Sequence, residues 1–203
     1  MQRWTGWIWV VALVFPFVGG WLWTGGEVET RGHGGLYPAP LDGPYTGGFG
    51  EPTCHSCHFD YDLNPEEGAL ILEGIPDVWE PGKTYQWKVS VEREDLQKGG
   101  FQLSARLKEG EQAGRFEWSS DRITTTPVGD REGVYVQHSG NGTEPIEEGR
   151  ISWVIDWIAP DRGSGAVYVH IAANAGNGDD SSFGDWIYLA DIRIDTSKQN
   201  DGS

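Results

Sequence analysis

An all-β sandwich is the fold this sequence predicts, on three observations. Apolar residues recur with period two from Gly68 onward, as in Ile151, Trp153, Ile155 and Trp157. Clusters of Gly, Pro, Asn and Asp interrupt that pattern at short intervals. No stretch after residue 24 keeps the apolar period of an amphipathic helix. Alternation marks half-buried strands, and short strands between turn signals need a second sheet to cover their apolar faces. The sandwich is expected over residues 68–195, preceded by three further segments and followed by a polar tail at 196–203.

Residues 1–24 read as a membrane anchor. Arg3 is the only charge before Glu27. As a helix, residues 4–23 would span about 30 Å, the thickness of a bilayer core. Trp4, Trp7 and Trp9 crowd one end and Trp21 and Trp23 the other, as in interfacial aromatic belts. Pro16, Gly19 and Gly20 weaken a helix in water but are tolerated in lipid. The expectation is a single-pass transmembrane helix in the cytoplasmic membrane, with everything after Thr24 outside. A cleaved signal peptide is the alternative; it asks for a shorter apolar core and a small-x-small site, and no A-x-A occurs there.

Residues 25–53 form a Gly/Pro-rich linker without apolar periodicity. As a coil it spans ~30 Å, and fully extended it reaches ~100 Å. It is either a free tether or a strap packed on the domain, for which Tyr37, Tyr45 and Phe49 are the candidate anchors.

Residues 54–67 carry the most specific signal. Cys54, Cys57 and His58 form C-x-x-C-H with His55 and Ser56 between the thiols. In a chain with two cysteines and five histidines, chance gives this pattern roughly once in several thousand. Two thiols at this spacing suit thioethers to the two vinyl groups of one haem, and the adjacent His58 suits the iron as proximal ligand. A redox disulfide would need a βαβ setting that the chain lacks. Half a zinc site is disfavoured too, because no second Cys pair exists. One covalent haem c is therefore expected, and attachment outside the cytoplasmic membrane agrees with the anchor.

The strands follow in order. Residues 69–75 form a short apolar run closed by Pro76. Tyr85, Trp87, Val89 and Val91 alternate, as do Phe101, Leu103, Ala105 and Leu107. Residues 116–118 and 134–136 are shorter candidates. The run from Ile151 to Trp157, then Val167, Val169 and Ile171, then residues 186–194 complete about eight strands. The tryptophans at inward positions read as core rather than as a cofactor platform.

The pieces Trp79-Glu80-Pro81-Gly82, Gly100-Phe101-Gln102-Leu103, Tyr135-Val136-Gln137-His138 and Asn174-Ala175-Gly176-Asn177-Gly178 together resemble bacterial Reeler-like domains. More closely, they resemble the choice-of-anchor V group. The resemblance runs from about residue 47 to 195. It implies an exported, immunoglobulin-like sandwich preceded by a C-x-x-C-H segment. The family's usual anchor follows the domain, whereas here the tail is polar and the candidate anchor is N-terminal.

The sixth ligand of the iron follows by elimination. The only Met is Met1, so a His/Met pair is excluded. His55 lies inside the attachment loop, His33 lies in the linker, and His170 between Val169 and Ile171 falls on the face opposite those two. His138 ends a strand beside the turn formed by Gly140, Asn141 and Gly142, and it matches the His of the family's Tyr-Val-x-His piece. His58 and His138 are the expected axial pair, with His170 and then His33 as fallbacks.

A net charge of −16 excludes nucleic acid as a partner. No G-x-S-x-G or H-E-x-x-H occurs, and no enzyme activity is expected. The acidic residues of the 179–185 loop lack EF-hand spacing, so a solvated hairpin is preferred there to a calcium site. The expected function is that of a membrane-anchored, extracytoplasmic monohaem c-type cytochrome. It would exchange electrons with a membrane-bound redox complex or a soluble electron carrier. An accessory subunit of a respiratory or photosynthetic complex, with the sandwich as its binding module, is the alternative; a haem-based sensor is a third reading.

Overall fold

The computed structural model describes residues 43–127, 134–162 and 165–197. The anchor, most of the linker including His33 and Tyr37, and residues 198–203 lie outside the described residues. Among those described, no helix is long and apolar enough to cross a membrane.

Ten strands are described: β1 Ala69–Glu73, β2 Val78–Trp79, β3 Thr84–Glu92, β4 Lys98–Arg106, β5 Arg115–Glu117, β6 Ile123–Pro127, β7 Val134–His138, β8 Arg150–Ile158, β9 Val167–Gly176 and β10 Trp186–Thr196. They form a four-stranded sheet in the order β1-β3-β8-β5 and a six-stranded sheet in the order β2-β10-β9-β4-β7-β6. Pairing is antiparallel except where β2 meets the end of β10. The fold is an all-β sandwich, as the alternation predicts.

Turn chemistry sets the joints. Between β2 and β3, Lys83 N–H donates to Glu80 O across Pro81 and Gly82, and Gly82 has φ 68°. Pro pre-sets the first corner and Gly supplies the positive φ of the second. The core lies between the sheets. Trp87, Val89 and Val91 of β3 and Ile151, Trp153, Ile155 and Trp157 of β8 face Phe101, Leu103 and Ala105 of β4 and Val169, Ile171 and Ala173 of β9. Small residues on β4 and β9 leave room for the indoles opposite. Trp153 Nε1–H donates to Gly142 O and Trp157 Nε1–H to Ala113 O, both at 2.9 Å, so these rings are buried without losing a polar partner.

Two strands have no counterpart in the sequence reading. β2 is two residues long and exists through its pairing with β10. β6 runs through Thr124, Thr125 and Thr126, whose polar side chains hide the alternation.

The outer face of the six-stranded sheet is covered. β4 is buried almost throughout, polar outward residues included. Residues 43–64 lie over it. Gln102 accepts from Tyr45 N–H and donates to Gly43 O at 3.0 Å. Glu51 pairs with Arg106 at 2.8 Å, accepts from Thr46 Oγ1 at 2.9 Å and accepts from the Tyr135 hydroxyl. This stretch of the linker is a strap rather than a free tether. It leads directly into the C-x-x-C-H turn.

Candidate functional site

A short 3-10 turn, Cys54–Ser56, presents the motif. Thr53 caps it by accepting from His55 N–H at 3.2 Å, and Cys57 N–H and His58 N–H both donate to Cys54 O. Cys54 packs under the turn against Ala172 of β9 and Ile187 of β10. Burial pushes its thiol pKa up to about 12. Cys57 is exposed, and neither sulfur is in a disulfide. Past the motif, Asp60 accepts from Gly184 N–H at 2.8 Å, and Asn64 bonds the open edge of β10 at Ile187 O and Leu189 N–H. Tyr61 stacks on Trp186 at 4.9 Å between ring centroids.

His58 leans onto the start of β10. Its Nδ1 lies 2.7 Å from Oδ2 of Asp185, a carboxylate only 4% exposed. Asp185 Oδ1 accepts from Asn177 N–H at 3.1 Å, and Oδ2 also accepts from Asn174 Nδ2 at 3.3 Å. With a carboxylate at Nδ1, the imidazole carries its proton there, and Nε2 is left as the lone-pair nitrogen. Nε2 of His58 has no hydrogen-bond partner among the described residues. Asn174, whose Nδ2 lies 3.5 Å from His58 Nδ1, has its Oδ1 buried and without a hydrogen-bond partner among the described residues.

His138 ends β7 on the same sheet. Its Nδ1 lies 3.1 Å from both N and O of Phe101, so the ring takes the place of the next rung of the β4–β7 ladder. The ring covers Gly100, where an added Cβ would approach its Cε1 to 2.6 Å. Only glycine admits the imidazole there. Burial lowers the pKa of His138 from its ordinary value. Its Nδ1 faces the Phe101 N–H, from which it can accept, and the Phe101 carbonyl, to which it can donate, and Nε2 is unbonded among the described residues.

The structure thus places the two predicted axial residues on one face, over neighbouring strands. Asn174, against His58, is the register partner of Gly100, under His138. Adjacent strands lie ~4.8 Å apart, and the two imidazoles are not in contact. The fallback His170 sits on this face too, but is closed in: Nδ1 is 2.6 Å from Asp191 Oδ1, Phe49 meets the ring edge-on at 5.3 Å, and a Cβ on Gly48 would strike it. His55 Nε2 is 2.9 Å from Tyr61 O.

The donor set fits haem c: two unpaired thiols three positions apart, His58 beside the second, and two imidazoles whose Nδ1 is engaged and whose Nε2 is not. The 179–185 loop spends its carboxylates separately. Asp179 accepts from Ser181 N–H at 2.8 Å, Asp180 pairs with Lys98 at 2.8 Å, and Asp185 turns inward to His58. No cluster of three or more His, Cys, Asp or Glu able to hold a metal ion occurs among the described residues.

Sequence reasoning missed Asp185, Asn174, Gly100 and Glu51. Asp185 is separated from His58 by 127 positions and sits in a run that reads as a solvated acidic loop. Gly100 reads as turn punctuation, and its neighbour Gly99 shares that reading.

No protein-family model and no curated protein sequence matches the chain. Among solved structures it is similar to the reeler domain of human F-spondin, at 22% identity and TM-score 0.46, covering 68% of this chain and 95% of that one. It is also similar to the Reelin-N domain of F-spondin, at 22% identity and TM-score 0.47, covering 71% and 97%. A cohesin module from a Clostridium perfringens family 33 glycoside hydrolase follows at 11% identity and TM-score 0.42, covering 66% and 97%. Likeness at this level fixes neither a family nor a function.

Proposed function

We propose that this chain is a membrane-anchored, extracytoplasmic monohaem c-type cytochrome, with haem bound through Cys54 and Cys57 and its iron held by His58 and His138. One observation carries the reading. Two histidines on the same sheet face each have Nδ1 fixed, by Asp185 and by the Phe101 backbone, and each keep Nε2 unbonded. Fixing Nδ1 is how proteins aim the other imidazole nitrogen at a metal. Haem c supplies a one-electron couple when bound. The chain's own residues hold it, orient it and keep the buried side of the site dry through Ala172, Ile187 and the strap. Bis-histidine ligation favours a lower potential than His/Met ligation.

Matured protein should give a pyridine haemochrome spectrum of the thioether-bound type, lost or shifted to a single-thioether form in Cys54→Ala or Cys57→Ala. The His138→Ala variant should turn from low-spin to high-spin and bind CO. Matured wild type that carries no haem and a 54–57 disulfide would sink the proposal. An unchanged low-spin spectrum in His138→Ala would transfer the sixth position to another residue.

The burial of Cys54 adds an order of events. A thiol with a pKa near 12, packed on Ala172 and Ile187, is closed to reagents while Cys57 is open. Attachment therefore precedes docking of the turn. In the folded haem-free chain, iodoacetamide at pH 8 should label Cys57 at least about a hundredfold faster than Cys54, and denaturant should erase the difference. Equal rates in the folded chain would place Cys54 outside the apolar pocket.

The accessory-subunit reading keeps one observation in its favour. Phe59, Tyr61, Leu63 and Phe183 are 40–58% exposed around the motif, a concentration of apolar surface suited to a protein partner. Copurification of a stoichiometric membrane complex that persists in Cys57→Ala would favour that reading over electron transfer.

A further inference from the structure

We propose that Asp185 is the positioning residue of His58: it fixes the ring in the Nδ1–H tautomer, directs the Nε2 lone pair outward as the iron donor, and holds a negative charge behind that ligand. The proposal rests on the haem reading above and adds to it what sets the strength of the ligand.

The geometry is specific. Asp185 is 4% exposed. A buried carboxylate is costly unless its oxygens are hydrogen-bonded, and both are. Oδ1 is held from behind by Asn177 N–H at 3.1 Å, and Oδ2 takes Asn174 Nδ2 at 3.3 Å and His58 Nδ1 at 2.7 Å. The carboxylate is therefore anchored on its sheet side and presents Oδ2 to the imidazole. Gly176 lies beside it, and a Cβ there would come within 3.3 Å of Oδ1. A distance of 2.7 Å is that of a charge-assisted hydrogen bond. Little water reaches the bond, so screening is weak.

Two consequences follow. In the haem-free chain, the 2.7 Å bond to Asp185, much shorter than the 3.5 Å approach of Asn174 Nδ2 to the same atom, places the His58 proton on Nδ1. In the matured chain, a carboxylate behind the imidazole raises its donor strength. It stabilises the oxidised iron, which carries one more positive charge, more than the reduced iron. The reduction potential is lowered accordingly.

The test uses the haem-free and the matured full chain in parallel. Nitrogen NMR of the haem-free wild type should show His58 protonated at Nδ1 and bare at Nε2, and Asp185→Ala should yield a mixture of tautomers. In matured protein, Asp185→Asn keeps the shape and an acceptor oxygen but removes the charge. Its oxidised-to-reduced ratio at a fixed potential should fall about tenfold, an upward shift of ~59 mV for a one-electron couple. The control is Asp60→Asn, which removes an exposed carboxylate bonded to Gly184 N–H in the same segment without touching His58, and it should move the potential far less. A wild-type His58 protonated at Nε2 overturns the proposal. So does Asp185→Asn with haem retained and its potential unmoved, or moved no more than in Asp60→Asn. If Asp185→Ala does not fold, the Asn variant still decides. Matured wild type without haem overturns the attachment reading itself, and with it the ligand role assigned to Asp185; the NMR arm then still reports whether Asp185 orients the ring.

Discussion

The two sheets share one core and differ in their outer faces. On the four-stranded sheet the outward positions other than the fully buried Ser90 meet water: Gln86 bonds Asp156 at 3.2 Å, Lys88 pairs with Glu73 at 3.2 Å, and Val154 is 44% exposed. On the six-stranded sheet Gln102, Ser104, Arg106 and Gln137 are also polar, yet each is 5% exposed or less. The cause is residues 43–64, which lie over that face. Polar groups under such a cover need partners: Gln102 and Arg106 find theirs in the strap and Gln137 finds its own in Gln102, while Ser104 Oγ has no hydrogen-bond partner among the described residues. A covered polar face is specified pair by pair, whereas a solvated one is specified only by alternation. His55, His58, His138 and His170 belong to the covered side.

Shared core and separate surfaces predict different penalties. Trp153→Ala empties the common core and should cost about 3–5 kcal/mol in urea unfolding of the haem-free chain. Below about 1 kcal/mol, the assignment of that ring to the core would be untenable. Glu51→Ala should cost about 3 kcal/mol, because it leaves the Arg106 guanidinium buried and uncompensated over the rings of Phe49 at 4.3 Å and Tyr135 at 5.3 Å. Lys88→Ala breaks an ion pair of similar length on the other sheet and should cost no more than about 0.5 kcal/mol. Equal costs for these two variants would mean that the strap is not clamped by Glu51. Glu51→Ala should also speed Cys54 labelling, since the strap leads into the turn, whereas Lys88→Ala should leave it unchanged.

The same contrast explains what was legible. The core strands were readable because one face of each was apolar at period two: Trp87, Val89 and Val91, or Ile151 to Trp157. The motif was readable because Cys54, Cys57 and His58 are contiguous. The cover was not. Gln102, Ser104 and Arg106 alternate with Phe101, Leu103 and Ala105 and read as solvated, since alternation reports only which residues face the core. Whether the other face meets water depends on where a distant Gly/Pro-rich segment lands, and here that rests on single contacts such as Glu51 with Arg106. The partner of His58 was hidden for the same reason. Asp185 carries no local mark that separates it from Asp179 and Asp180.

Glycines give the finest version of this comparison. Gly100 and Gly140 flank the same histidine in space and in sequence, and both read as turn residues. At Gly140 an added Cβ meets nothing within 4 Å, whereas at Gly100 it would meet the His138 ring at 2.6 Å. Gly100→Ala should therefore push the imidazole off the sheet and break its bond to Phe101. The expected cost is about 1–3 kcal/mol from overpacking, against at most about 0.5 kcal/mol for Gly140→Ala. In matured protein the displaced ring should reproduce the high-spin, CO-binding state expected of His138→Ala, while Gly140→Ala stays low-spin. A Gly100→Ala protein that is destabilised but still low-spin would leave His138 as a packing residue and remove it from the iron.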